Sequence, residues 1–158
     1  MEEMYQEYKD IVEFRMIYIR EAHAADGQRP TRYATEKGIT EHTNIEERCA
    51  TAEMLIEDES LTMPMLIDGM DNAVNEAYSA HPDRVFLVRK DGRLAVAAAR
   101  GPRGFGPALK EAGEWLAEFK ETGEEPELKE TSDEAQSQER PSDESPKGKR
   151  KKKRKDGN

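Results

Sequence analysis

The 158-residue sequence has a single cysteine, Cys49, only 6% aromatic residues and no long apolar run. One cysteine excludes an intrachain disulfide. Without a long apolar run, the sequence predicts neither a signal peptide nor a membrane-spanning helix. We therefore expect a soluble, cytoplasmic protein.

Large apolar residues become scarce after residue 120. Residues 121–146 are acidic and polar, and residues 147–155 read KGKRKKKRK. Such a composition buries too little surface to offset the entropy of an ordered chain. We predict one folded domain over residues 1–120 and a disordered tail over residues 121–158, acidic first and basic at its end. A solvated tail is the simpler interpretation, and the basic end is also suited to nucleic acid or an anionic surface.

The hydrophobic pattern of the first half predicts two helices and one strand. The first helix is amphipathic from Met1 onward, and the strand Phe14–Ile19 is apolar enough to be buried on both faces. A loop over residues 20–42 leads into a helix over residues 44–57. Its predicted inner face consists of Ile45, Cys49, Ala52 and Ile56.

The second half predicts a strand, a short helix, a hairpin and a final helix. Asp91 and Gly92 mark the hairpin turn. The predicted elements are Met63–Gly69, Asn72–Tyr78, the strands Arg84–Val88 and Leu94–Ala99, and a helix with Leu109, Ala112, Leu116 and Phe119 on one face.

The order of these elements resembles a thioredoxin-like α/β fold that lacks its first strand. In that arrangement the first strand lies inside the sheet and leads into the redox residue ahead of the first helix. Here the first helix begins without a capping residue or a preceding strand. We therefore expect a thioredoxin-like fold that is truncated at its N-terminus and followed by the disordered tail.

A cluster of polar residues follows the first predicted strand in the stretch YIREAHAADG. This stretch resembles the signature of the iodothyronine deiodinase family. Further segments match that family in the same order: ITEH, NIEERCATAEML, MPMLIDGM, PDRVFLV, DGRL, RGPRGF and WLAEF. The resemblance covers residues 1–120.

The resemblance implies a thioredoxin-fold selenoenzyme that carries out reductive dehalogenation of the thyroxine 5'-deiodinase type or related selenol and thiol redox chemistry. Its partners would be a small aromatic, halogenated substrate and a thiol reductant, with no bound cofactor. This sequence lacks the family's selenocysteine, so we expect the chain alone to be inactive. We leave open a homodimer.

The resemblance also implies roles for individual residues. His23 would hold the phenolic end of the substrate, and Arg100 would hold the opposite end. A network that delivers a proton to the ring would consist of Tyr18, Glu21, His42 and Asp83, the last in place of a glutamate. Arg84, which follows Asp83, is expected to be a structural ion-pair partner.

One position departs from the family pattern. Met63 stands where the family has a cysteine that takes part in thiol recycling, and Met63 cannot form a disulfide. Pro64 resembles the cis-proline of thioredoxin folds. Cys49 does not replace the missing cysteine, since its place on a helix indicates a core residue.

Three alternatives remain at this point. A metal site built from Glu21, His23, Asp26 and His42 has suitable ligand types but no tight ligand spacing, and we expect no metal. The chain could instead be a non-catalytic binding module for an aromatic or halogenated phenolic ligand. It could also act as an interaction protein through its tail, residues 121–158.

Overall fold

The computed structural model describes residues 1–127, so the predicted tail lies outside the described residues from residue 128 onward. The described part is mixed α/β, as predicted. In chain order its elements are α1 Glu2–Tyr8, β1 Met16–Tyr18, α2 Arg32–Lys37, α3 Ile45–Asp58, β2 Met65–Ile67, α4 Ala73–Tyr78, β3 Phe86–Val88, β4 Leu94–Ala97 and α5 Phe105–Thr122.

The four strands form two separate two-stranded sheets. Strands β1 and β2 are parallel, with Ile17 opposite Leu66, whereas β3 and β4 form an antiparallel hairpin with an irregularity after Leu87. The hairpin and its turn were predicted, and Gly92 takes a positive φ of 83° there. A single open sheet was expected, but within residues 1–127 no ladder joins β1 or β2 to the hairpin.

The main hydrophobic core lies between the hairpin, α1 and α5. Helix α5 contributes Ala108, Ala112 and Leu116, which recur every four residues and so share one face. The predicted inner face was right for Ala112 and Leu116, but Ala108 rather than Leu109 is buried. Tyr8, Leu87, Val96 and Ala98 complete this core.

Strand β1 is shorter and more exposed than its sequence suggested. We expected burial on both faces, but Ile17 is 38% exposed and its partner Leu66 is 51% exposed. The reason is that these paired side chains lie on one face of the β1–β2 sheet, which residues 1–127 leave partly open. A nearly continuous apolar run therefore does not prove burial on both sides.

The predicted loop over residues 20–42 contains a short helix, α2. The Thr31 side chain accepts a hydrogen bond from Ala34 N and so caps its start. Gly38 ends the helix with a φ of 69°. Both signals are present in the sequence, but the helix is only six residues long.

Helix α3 begins as predicted, but its buried face is rotated. Asn44 Oδ1 accepts from Glu47 N at 2.9 Å, and Glu47 accepts in return from Thr43 N at 2.7 Å. Ala52 is buried, as expected, whereas Ile45 is 38% exposed and Arg48 is only 2% exposed. The buried face of α3 is therefore turned by about one residue from the predicted face. Arg48, a charged residue, is buried where Cys49 was expected.

Candidate active site

The polar cluster at the end of β1 is organised by the Glu21 carboxylate. The Tyr18 hydroxyl donates a hydrogen bond to Glu21 Oε2 at 3.0 Å. Glu21 Oε1 accepts from Ala22 N at 3.0 Å and from His23 N at 3.1 Å. Burial and the neighbouring Glu21 charge raise the pKa of Tyr18, so its phenol remains a proton donor at neutral pH.

His42 lies beside Tyr18, with ring centroids 6.0 Å apart. Its Nε2 is 3.0 Å from Thr51 Oγ1, which itself donates its only hydrogen to Glu47 O at 3.1 Å. The Thr51 oxygen must therefore accept, and Nε2 of His42 carries a hydrogen. In the uncharged ring Nδ1 is then an acceptor, and this buried atom has no partner among the described residues.

Glu21 and His42 line one open cleft of about 190 Å³, together with Arg20, Glu41, Arg48, Met70 and Asn72. Burial and the positive charge of Arg48 lower the pKa of His42, which Glu21 and Glu47 partly oppose. Two of the predicted site residues, Glu21 and His42, thus line this cleft, and a third, Tyr18, lies beside them.

His23 is exposed, and its ring contacts the backbone instead of the Tyr18–Glu21–His42 cluster. Its Nδ1 is 2.9 Å from Arg29 O. A carbonyl only accepts, so Nδ1 carries the hydrogen and Nε2 is the atom left for a ligand. Asp26, in contrast, is used structurally, because its Oδ1 accepts from Glu41 N at 2.9 Å.

Arg100 and Asp83 meet at a second polar corner. Arg100 Nε donates to Ser79 O at 3.2 Å, and Gly101 N donates to Asp83 O at 3.0 Å. The Asp83 carboxylate lies so close to Gly101 that a Cβ there would overlap both of its oxygens. No hydrogen bond among residues 1–127 joins Asp83 to Tyr18, Glu21 or His42.

Arg84 is anchored by carbonyl groups instead of a carboxylate. Its Nε donates to Ala98 O at 2.7 Å and its Nη1 donates to Tyr78 O at 2.9 Å. The expected structural role fits, but the expected ion pair is wrong for the described residues. Arg84 therefore fastens β4 to the end of α4.

His81, which sequence reasoning passed over, lies in the electrostatic reach of both halves of the site. Burial lowers its pKa, and the charges of Arg20 and Arg100 lower it further. Its Nδ1 is buried and has no partner in the described part of the chain. No motif marks His81, since it stands alone before Pro82.

Met63 is buried, with 4% of its surface exposed, while the following Pro64 is exposed. The expectation of a cis bond at Pro64 is wrong: the cis X-Pro bonds of the described chain are His81–Pro82 and Gly101–Pro102. With an ordinary trans bond, Pro64 O accepts from Met16 N at 3.0 Å at the edge of the β1–β2 ladder.

No group of three or more His, Cys, Asp or Glu side chains in residues 1–127 is arranged to hold a metal ion. No helix in the same range is both long and apolar enough to span a bilayer.

Comparison with known proteins agrees with the resemblance carried by the motifs. The family model for iodothyronine deiodinase matches residues 1–120. A type II iodothyronine deiodinase of Neoceratodus forsteri is 37% identical over 114 residues, which are 70% of this chain and 41% of the relative. The type II iodothyronine deiodinase of Homo sapiens is 34% identical over 114 residues, covering 70% of this chain and 41% of the relative.

A thyroxine 5-deiodinase of Sparus aurata is 32% identical over 114 residues, covering 72% of this chain and 40% of the relative. The chain therefore spans about two fifths of the length of these relatives. The match over residues 1–120 includes every site residue discussed above. The chain belongs to the iodothyronine deiodinase family.

Proposed function

We propose that this protein takes part in deiodinase-type reductive dehalogenation of an iodinated phenol, on a thioredoxin-like fold. The observation that carries the proposal is the cleft in which Glu21 and His42 lie together, beside Tyr18, in a chain of the deiodinase family. A carboxylate and an imidazole that line one cleft, with a phenol hydrogen-bonded to the carboxylate, are suited to moving a proton to a substrate.

The reaction that we propose exchanges a ring iodine for hydrogen. The carbon–iodine bond breaks, iodide leaves and a carbon–hydrogen bond forms. Two thiols supply the two electrons as they become a disulfide. They also release two protons, of which one becomes the new ring hydrogen and the other goes to solvent. Tyr18, Glu21 and His42 are proposed to pass the proton to the ring.

His23 and Arg100 are proposed to bind the two ends of the substrate. His23 offers Nε2 to the phenolic oxygen, because its Nδ1 is engaged by Arg29 O. Arg100 Nε donates a hydrogen bond to Ser79 O, and the two terminal nitrogens of Arg100 make no hydrogen bond among the described residues. Such a guanidinium is suited to a carboxylate. Asp83, next to this corner, is proposed to assist the network.

Residues 1–158 contain one cysteine and no selenocysteine. Cys49 lies part-buried on α3 and is not among the residues that line the cleft. The thiol or selenol that attacks iodine is therefore proposed to be a group outside these residues. Met63 supplies no thiol for recycling, so the proposed reductant is an external thiol.

Iodide release tests the proposal. The protein purified from its natural source is incubated with radioiodine-labelled iodothyronine and dithiothreitol, and saturable binding is measured in parallel by equilibrium dialysis. We expect both iodide release and binding. We expect Glu21→Gln to reduce iodide release by about 10²-fold or more, and Glu36→Gln, an exposed change on α2, to leave it unchanged. Absence of both release and binding would overturn the proposal.

A further inference from the structure

Arg48 is a charged residue with an unusual environment for a protein interior. It is 2% exposed, and its three hydrogen bonds go to uncharged oxygens. No carboxylate forms an ion pair with it in residues 1–127. A buried charge without a counter-ion is expensive, so its retention calls for a specific role.

The hydrogen bonds of Arg48 fix one wall of the cleft. Nη1 donates to Asp68 O at 3.0 Å and to Gly69 O at 2.7 Å, and Nη2 donates to Asn72 Oδ1 at 3.1 Å. Arg48 thereby joins α3 to the turn over residues 68–72, which contributes Met70 and Asn72 to the cleft.

The same turn is held from the other side by Asp68, which is also 2% exposed. Its carboxylate accepts from Val74 N at 3.0 Å and from Asn75 N at 2.9 Å, at the start of α4. Asp68 N donates to Tyr18 O at 2.9 Å. The wall is therefore tied to the end of β1 as well as to α3 and α4.

Arg48 and His42 line the same cleft, and the positive charge of Arg48 disfavours a second positive charge on His42. The groups that act on His42 are Arg48 and Glu47 from α3 and Glu21 from the segment after β1, with the Tyr18 ring beside it. Arg20 and Glu41 also line the cleft. Of these, Arg48 is the buried one with no carboxylate to neutralise it.

We propose that Arg48 and Thr51 are positioning residues that set the state of His42 at the cleft. Thr51 holds the hydrogen on Nε2, and the buried charge of Arg48 keeps the ring uncharged, so that Nδ1 is an open acceptor for a proton or a substrate hydrogen. The relay role of His42 rests on the proposed function, whereas its charge and tautomer are properties of this chain alone.

Nitrogen NMR of the histidine-labelled full chain tests this inference without any activity measurement. The chain has three histidines, and His42→Asn identifies the His42 signals. In the unaltered chain we expect His42 to titrate below its ordinary value near 6.5, with Nε2 protonated and Nδ1 unprotonated in the neutral form. A His42 that titrates at or above 6.5, or one that carries its hydrogen on Nδ1, would overturn the proposal.

Two variants separate the charge of Arg48 from its packing. Arg48→Met removes the charge, and Asn72→Asp keeps Arg48 but places a carboxylate against Nη2. Asn72 has a φ of 55°, which aspartate also tolerates. Both changes are expected to raise the pKa of His42. If Arg48→Met does not fold, Asn72→Asp still gives the answer, and an unmoved His42 in a folded Asn72→Asp variant would refute the role of Arg48.

Thr51→Val tests the tautomer, because valine keeps the shape but cannot accept from Nε2. We expect the neutral ring of this variant to populate both tautomers instead of one; a single unchanged Nε2–H tautomer would remove Thr51 from the proposal. Arg32→Met is the matched control for Arg48→Met, since the Arg32 side chain is 90% exposed. It is expected to leave the His42 titration unchanged.

Discussion

The Tyr18 hydroxyl donates to Glu21 Oε2 at 3.0 Å, while the other oxygen of the same carboxylate accepts two backbone N–H groups. Glu21 is thus held by the chain that follows β1, and it in turn orients the phenol of Tyr18. This pair lies beside His42, and Glu21 and His42 both line the cleft.

Tyr18→Phe tests this relationship directly. Burial and the Glu21 charge raise the pKa of Tyr18 above the ordinary value for tyrosine. The variant should therefore lack one tyrosine that ionises only at unusually high pH. An alkaline ultraviolet titration of both proteins is the measurement. The difference between them is expected only at the alkaline end of the curve; a difference centred near pH 10 would contradict the assignment.

Asp68→Ala removes the cap of α4 and leaves Val74 N and Asn75 N without their acceptor. Two buried donors that lose a charged partner cost about 1–3 kcal/mol each. We expect a correspondingly lower free energy of unfolding in urea. Asp26→Ala is the comparison, because exposed Asp26 accepts a single backbone bond, from Glu41 N. An equal loss in both variants would contradict the structural importance of Asp68.

Gly104→Ala and Gly106→Ala are a matched pair at the start of α5. A Cβ at Gly104 would overlap Ala99 O, whereas a Cβ at Gly106 would meet nothing within 4 Å. We expect Gly104→Ala to lower the melting temperature and to disturb the turn that carries Arg100. Gly106→Ala is expected to be neutral or slightly stabilising, because alanine is the better helix former. Differential scanning calorimetry distinguishes the two.

The histidines and the acids act on stability in separate pH ranges. The pKa values of His42 and His81 are lowered in the folded chain, so the unfolded chain binds these protons first as pH falls. Unfolding free energy is therefore expected to decline as pH drops through 6.5. Urea unfolding between pH 5 and pH 7.5 measures this free energy. We expect it to depend less steeply on pH in His42→Gln and in His81→Gln.

Glu2 acts at lower pH. Hydrogen bonds from Gln6 and then Thr62 lower the pKa of Glu2 to about 2 from 4.5. Its contribution is present above 4.5 and is lost as pH falls toward 2. In Glu2→Gln the free energy of unfolding is expected to fall less steeply between pH 4.5 and pH 2. Its pH dependence near pH 6.5 is expected to be unchanged. Since Glu2 lies at the surface and is only partly covered, a small effect is predicted.

The sequence predicted the elements with strong local signals. The Asp91-Gly92 turn and the spacing of Ala112 and Leu116 each have a local physical cause, and each was found where expected. The family motif also led to Tyr18, Glu21 and His42, which the structure brings together.

The features that the sequence did not predict depend on tertiary contacts, which no local sequence pattern reveals. Arg48 lies in phase with Ala52 on α3, but a buried arginine is recognisable only when the carbonyls of Asp68 and Gly69 are in place. The exposure of Ile17 depends on what covers the β1–β2 sheet. His81 joins the site through a loop that carries no motif.

The central claim is that Tyr18, Glu21 and His42 deliver a proton to a dehalogenated ring, and one measurement tests it most directly. The protein from its natural source is allowed to act on an iodinated phenol with dithiothreitol in D₂O, and the product is analysed by mass spectrometry. We predict a product with deuterium at the position that iodine has left, formed far more slowly by Glu21→Gln. A hydroxylated product, or deuterium incorporation at the same rate in Glu21→Gln, would contradict the account.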